Sequence, residues 1–265
     1  MTIAEQVSCA PVGVGRMLRE WRERRRLTQL DLALRAEVSA RHLSFVETGR
    51  SRPTSDMILR LARHLDVPLR ERNLLLLSGG YAPAYPANEL SDPPMSAVHD
   101  AIERVLAAHE PYPAVVLDGQ WELVAANPAV ALLVEGCAPA LLEPPVNVLR
   151  LTLHPDGMAP RVLNLPEWRA HLLDRLERDI AATADQGLIA LREELARYPC
   201  PPTAARTDTR SILVPLQLRV RDSTLSLLST TTVFGTPRDI TLAELAIESF
   251  YPADAGTGEF LRSAV

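Results

Sequence analysis

The sequence predicts an α+β chain: a small all-helical domain followed by a larger domain in which helices pack on an antiparallel sheet. Three observations predict this. Residues 12–80 hold short amphipathic stretches of helical period punctuated by capping residues, with no alternating run. A stretch rich in Pro and Ala, Tyr81 to Pro94, then interrupts the pattern. Beyond it, alternating apolar runs flank turn signals at Asp118-Gly119 and near Asp222, with two long helical patterns between them. A length of 265 residues suits two cores of ordinary size. The expected divisions are a helical domain at 12–80, a linker at 81–95, a second domain at 96–252 and a tail at 253–265.

In the first domain, Leu18 and Trp21 share a face of a helix from Gly15 to about Arg25. Thr28, with Asp31 three residues on, starts a second helix that runs to about Ala36, and Leu27 is placed to staple Leu32. Ser39 caps a third, from Ala40 to about Thr48, whose Leu43 and Val46 turn inward while Ala40, Arg41, Ser44 and Phe45 face outward. Gly49 ends it. Thr54 caps a fourth helix burying Ile58, Leu61 and Leu65, and a fifth spans about Arg70 to Leu77, with Leu74 to Leu77 read as core.

In the second domain, Ser96 caps a helix reaching His109, and Ala114–Leu117 pairs with Trp121–Ala125 as a hairpin. Asn127-Pro128 opens a helix. Long amphipathic helices follow at Leu165 to Thr183 and Asp185 to Tyr198, then strands at Ser211 to Arg221, Ser223 to Phe234 and Asp239 to Phe250.

Charge separates the two parts. Residues 1–80 carry 14 Arg against nine acids, whereas the remainder carries 14 Arg against 24 acids. A basic first domain on an acidic chain points to a polyanionic partner for that domain. Every basic residue is Arg, a usage that coding bias explains as readily as binding. Cys9, Cys137 and Cys200 are odd in number and far apart, which argues against a disulfide framework or a four-ligand zinc site and fits a cytoplasmic setting. The first residues lack a basic segment followed by an apolar one, and no apolar run approaches the roughly 18 residues of a membrane span. No nucleophile with a base, paired acid or metal cluster stands at a recognisable spacing, and the six His are scattered singly, so neither an enzyme nor a cofactor is expected.

The run RMLREWRERRRLTQLDLALRAEVSARHLSFVETGRSRPT, continuing to RLARHLDVP, resembles the lambda-repressor-like helix-turn-helix of XRE-family regulators. The resemblance covers about 65 residues and implies a transcription regulator that binds double-stranded DNA. It places Gln29 on phosphate, Arg41, Ser44 and Phe45 towards base edges, Ala40 at the groove floor beside the capping Ser39, and Arg50 and Arg52 on the backbone. Arg41 has two readings, a bidentate reader of guanine or a phosphate clamp. Phe45 likewise either touches thymine methyls or packs inside. Glu37 departs from the family pattern, which has Gly at the turn; a left-handed non-Gly residue costs about 1–2 kcal/mol.

The segments VVLDGQWELVAANPAV, NVLRLTLHPDG, LPEWRAHLLDRL and STTTVFG resemble a PAS-type sensor, in particular the ligand-binding half of MmyB-like regulators. That resemblance implies a cavity for a small, mainly apolar, fatty-acid-like molecule. Trp121 and Trp168 are candidates to line it, and Arg150, His154, Arg169 and His171 to anchor a polar group. The assembly implied is a homodimer on a near-palindromic operator. Two other readings are a redox regulator acting through Cys137 or Cys200 and an adaptor whose second domain binds protein.

Overall fold

The computed structural model describes residues 13–202 and 213–264. These form two compact units that part between Pro86 and Ala87. The first unit is five helices, α1 (Val14–Arg24), α2 (Gln29–Arg35), α3 (Ala40–Glu47), α4 (Ser55–His64) and α5 (Leu69–Ser78). Each start has a local cause. The Thr28 hydroxyl accepts from the Asp31 backbone N–H while the Asp31 carboxylate accepts from the Thr28 N–H, a reciprocal capping box. The hydroxyls of Ser39 and Thr54 accept from the N–H groups of His42 and Met57. Leu18, Leu32, Leu43, Ile58, Leu61 and Leu65 are fully buried and make the core. In α5 only half of the leucine run is core: Leu75 and Leu76 are buried, whereas Leu74 and Leu77 are exposed, because four consecutive residues span more than a full turn of helix.

The Pro-rich stretch is less open than its composition predicts. The Tyr81 hydroxyl donates to the Pro53 carbonyl, and the Asn73 side chain accepts from the N–H groups of Ala84 and Tyr85 while donating to the Tyr85 carbonyl. The backbone up to Tyr85 is thus held by side chains of the first unit, without regular secondary structure.

The second unit is built on a five-stranded antiparallel sheet in the order β2-β1-β5-β4-β3. Its strands are β1 (Ala114–Leu117), β2 (Leu123–Ala126), β3 (Leu216–Val220), β4 (Ser223–Val233) and β5 (Ala246–Pro252). Before the sheet comes α6 (Ser96–His109); between its hairpins lie α7 (Ala131–Val134), α8 (Val148–Leu153), α9 (Leu165–Thr183) and α10 (Gln186–Ala196). Ser96 is the first residue of α6 rather than its cap, because a 3-10 turn at Pro93–Met95 leads directly into the helix. After Asn127 the chain makes a 3-10 turn before the single-turn α7. The Asn127 side chain faces back, accepting from the Ala114 N–H and donating to the Tyr112 carbonyl.

Two segments depart from the expected pattern. Residues 239–250 are not one strand. The Asp239 carboxylate caps α11 (Ile240–Glu244) by accepting from the Leu242 N–H, and the strand begins only at Ala246. The stretch expected as a tail contains α12 (Ala255–Ala264), whose Leu261 is fully buried in the main core of this unit.

The sheet separates two apolar cores. Val115 and Leu117 of β1 point into the larger one, among residues of α7 to α10, while Ala114 and Val116 point into a smaller one with Ile102 and Leu106 of α6. All four residues of β1 are therefore buried.

Candidate DNA-binding surface and ligand cavity

The geometry of α3 is set by its contacts with α1. At Gly15 a Cβ would lie 1.9 Å from the Val46 carbonyl oxygen, so only glycine permits this crossing. Nearby, the Arg22 guanidinium makes a two-pronged bond to Glu47, with Nε to Oε1 at 2.7 Å and Nη2 to Oε2 at 2.9 Å, and its Nη1 donates to the Leu27 carbonyl. Both side chains are withdrawn from solvent, 10% and 1% exposed. The hydrogen bond that it donates to Glu47 holds the Arg22 pKa above its ordinary value, with burial opposing it. Gln29 donates to the same carboxylate at 2.8 Å. One buried acid at the end of α3 thereby ties together α1 and the first residue of α2. Between α2 and α3, Glu37 adopts φ +53, so the left-handed turn is present without glycine.

The residues expected at the DNA divide as follows. Arg41 is exposed on α3, its guanidinium carbon 5.5 Å from the centre of the half-buried Phe45 ring. Ser44 is half-buried one turn along, and Ser39 is exposed at the cap. Ala40 packs partly against the core. Arg50 is exposed just beyond Gly49, which takes φ +73 as the terminating position of α3 requires. Arg52 is also structural: it donates to the Gly79 carbonyl at 2.9 Å and lies over the Tyr81 ring.

In the second unit, the larger core borders a partly open cavity of about 180 Å³. Val115 and Leu117 from β1, Leu149 from α8 and Phe250 from β5 are among its walls, and α9 contributes Trp168 and Leu172. Both expected tryptophans, Trp121 and Trp168, line it. The four expected polar anchors do not. Arg150 makes a bidentate pair with Glu194, with Nη2 to Oε2 at 2.8 Å, which lowers the Glu194 pKa. His154 accepts from the Asp156 N–H and packs edge-on to Tyr198. Arg169 donates to the last carbonyls of α10, Leu195 and Ala196. His171 stacks on Trp168, and burial, aided by Arg175, lowers its pKa.

The polar groups at the cavity come instead from residues the sequence reading passed over. Among the described residues that line it, Glu248 of β5 alone carries charge, and it is 5% exposed. Arg175, two turns beyond Trp168 on the same face of α9, donates to both Glu248 oxygens, at 2.7 and 3.3 Å, and to the Thr231 hydroxyl at 3.1 Å. Thr231 and Glu248 are direct cross-strand partners, so one guanidinium clamps β4 to β5. The same guanidinium lies 4.7 Å from the Trp121 ring, whose indole N–H donates to Asp179, one further turn along α9. Burial raises the Asp179 pKa, opposed chiefly by that hydrogen bond. The Trp168 indole N–H has no hydrogen-bond partner among the described residues, and the ring is 2% exposed. The spacing Trp168, Leu172, Arg175, Asp179 was the available signal, since it marks one helical face on which two charges follow two large apolar groups.

Cys137 is buried, with its sulfur 3.5 Å from an Arg161 nitrogen, and Cys200 is half-buried. Cys9 lies outside the described residues. No group of His, Cys, Asp or Glu suited to a metal ion occurs among the described residues. No helix among them is long and apolar enough to cross a membrane.

Comparison with known proteins agrees with both units. The helix-turn-helix family model matches residues 18–72, and that of the MmyB-like transcription regulator ligand binding domain matches residues 98–264. Among solved structures, an RNA-binding light-oxygen-voltage receptor is similar at 13% identity and a TM-score of 0.29, over 93% of this chain. The chain spans 59% of that receptor's length. No curated protein matches it. The chain belongs to the MmyB-like transcription regulators, with a helix-turn-helix DNA-binding domain ahead of the ligand-binding domain that defines the family.

Proposed function

We propose that the protein binds a near-palindromic operator as a homodimer, and that a small, mainly apolar, fatty-acid-like molecule in the second unit controls that binding. On this reading Gln29, Ser39, Ala40, Arg41, Ser44, Phe45, Arg50 and Arg52 form the DNA surface, with two copies of α3 in successive major grooves about 34–36 Å apart. The observation that carries the ligand half is the cavity, walled almost entirely by aliphatic and aromatic side chains. The protein acts by occupancy, without turnover of the ligand.

A ligand that fills the cavity in one state of the protein, and is excluded from another, biases the two by its difference in affinity for them. An apolar cavity of about 150 Å³ takes benzene, so this one suits a single ring or a compact chain.

Native mass spectrometry of the purified full chain, followed by denaturing extraction, tests the reading. The expected result is a dimer carrying a lipid-like mass that dissociates on denaturation and, when titrated back, changes operator affinity. A monomer that binds the operator with full affinity refutes the dimer; an empty protein whose operator affinity no apolar compound alters refutes the ligand control.

A further inference from the structure

We infer that the open edge of β4 is the seam of the homodimer: its last residues pair antiparallel with the same residues of a second copy and join the two sheets into one. The inference rests on the homodimer reading above and gives that dimer an interface. The ladder between β3 and β4 ends at Leu216 opposite Leu227, whereas β4 continues along β5 as far as Val233. Among the described residues, no strand pairs the other side of residues 228–233. Bonds at the strand ends fix where each backbone group points. The Ala253 N–H donates to the Ser226 carbonyl, so Ser226 faces β5. Alternation turns Leu228, Thr230 and Thr232 the same way, and Ser229, Thr231 and Val233 outwards.

Free edges in natural sheets carry charge, proline or a bulge against such pairing. This one carries none of them: no charged residue stands between Asp222 and Arg238, no proline lies within β4, and its register with β5 runs without a shift. A second copy is the occupant that fits. A two-fold axis through Thr231 sets Ser229 opposite Val233 and Thr231 opposite itself, so every outward N–H meets an outward carbonyl of the other copy. Thr and Val opposite one another are also favoured cross-strand neighbours. Beyond residue 80 the chain carries 24 acids against 14 Arg, so two copies approach most readily along a strip without charge. The axis stands perpendicular to the sheet and keeps both α6 helices on one face. On that face an apolar groove formed by Ala101, Ile102, Val105 and Phe234 adjoins the seam at Val233. Val105 and Val233 are 44% and 63% exposed, large for apolar residues beside an open strand edge.

The test combines sedimentation equilibrium of the full chain with amide exchange resolved to single residues by mass spectrometry. The expected result is a dimer in which the Ser229, Thr231 and Val233 amides exchange slowly, and lose that protection on dilution to monomer, while Thr230 and Thr232 stay protected by β5 in both states. Thr231→Pro costs its own sheet no ladder bond, because that N–H points outwards, but removes both bonds at the two-fold and should raise the dimer dissociation constant at least about tenfold. Thr231→Val keeps the N–H and should dimerise like the parent. Val233→Lys, which puts charge on the seam, carries the test should Thr231→Pro fail to fold by circular dichroism. A dimer whose Thr231 and Val233 amides exchange freely, and which Thr231→Pro leaves intact, overturns the seam and leaves the homodimer reading standing. A protein that sediments as a monomer at every concentration overturns both; protected edge amides in that monomer would mean that the chain itself or a foreign strand covers β4.

Discussion

Gly15→Ala puts the α1 to α3 crossing to a direct test. In an exposed helix the exchange gains about 1 kcal/mol, because alanine has less backbone entropy to lose. Here the new Cβ would sit 1.9 Å from the Val46 carbonyl oxygen and 2.9 Å from the Val46 carbonyl carbon, against the 3.0 Å that Cβ atoms keep. Both neighbours are backbone atoms of α3, so no side chain can swing aside. The helices must separate by about 1 Å, and overpacking of that kind costs about 1–3 kcal/mol. That cost exceeds the propensity gain, so the net effect is destabilising. The displacement also falls on the helix that carries Arg41. Urea unfolding followed by tryptophan fluorescence, together with fluorescence anisotropy on operator DNA, measures both consequences. A variant more stable than the parent by about 1 kcal/mol, with unchanged DNA affinity, would refute the close crossing.

Other perturbations separate the remaining interactions. Arg41→Ala should remove about 1–3 kcal/mol of discrimination between operator and mutated operator while leaving the fold intact; uniform weakening on all DNA would make Arg41 a phosphate contact. Glu47→Ala should cost up to about 3–5 kcal/mol, since it strips the buried Arg22 of its two-pronged partner and leaves it only the longer contact to the exposed Glu23 at 3.7 Å, and a midpoint in urea within error of the parent would contradict this. Glu194 has its pKa lowered in the folded chain, mainly by the hydrogen bond from Arg150. The pair therefore stabilises above the unfolded carboxyl value near 4.5 and loses that contribution as pH falls through the folded value. Glu194→Gln should flatten the acid side of a Tm against pH curve by no more than about 1 kcal/mol, because both groups are partly exposed; an unchanged curve would remove the pair from the account. Serine at both Cys137 and Cys200 should leave operator binding unchanged, and loss of an oxidant response in that variant would favour the redox reading.

The first unit was legible because its signals are local. Thr28 with Asp31, Ser39 and Thr54 each satisfy backbone groups within three residues, and those bonds form as the spacing predicts. Where partners lie far off in sequence, inference from spacing stopped. Arg150 resembled a ligand anchor until the fold brought Glu194 to it across 44 residues. Glu248 was invisible for the converse reason: an acid in a strand reads as solvent-facing, and only pairing with Ala114 to Leu117 and with β4 turns its side chain into a core. At Asp239 a local signal was present but overlooked. The Ile240-Thr241 pair favours a strand, yet the carboxylate cap on Leu242 N–H and Leu245 burial set a turn of helix first.

The two-sided burial of β1 has a mechanical consequence. Its four residues alternate between the ligand cavity's core and the core beneath α6, so this strand is a party wall with a tenant on either side. Packed interiors have little free volume and low compressibility. Anything that swells the cavity against Val115 and Leu117 presses the same backbone towards Ile102 and Leu106, and α6 must either yield or resist. A sheet with water on its far face would dissipate that push into solvent; this one hands it to a helix.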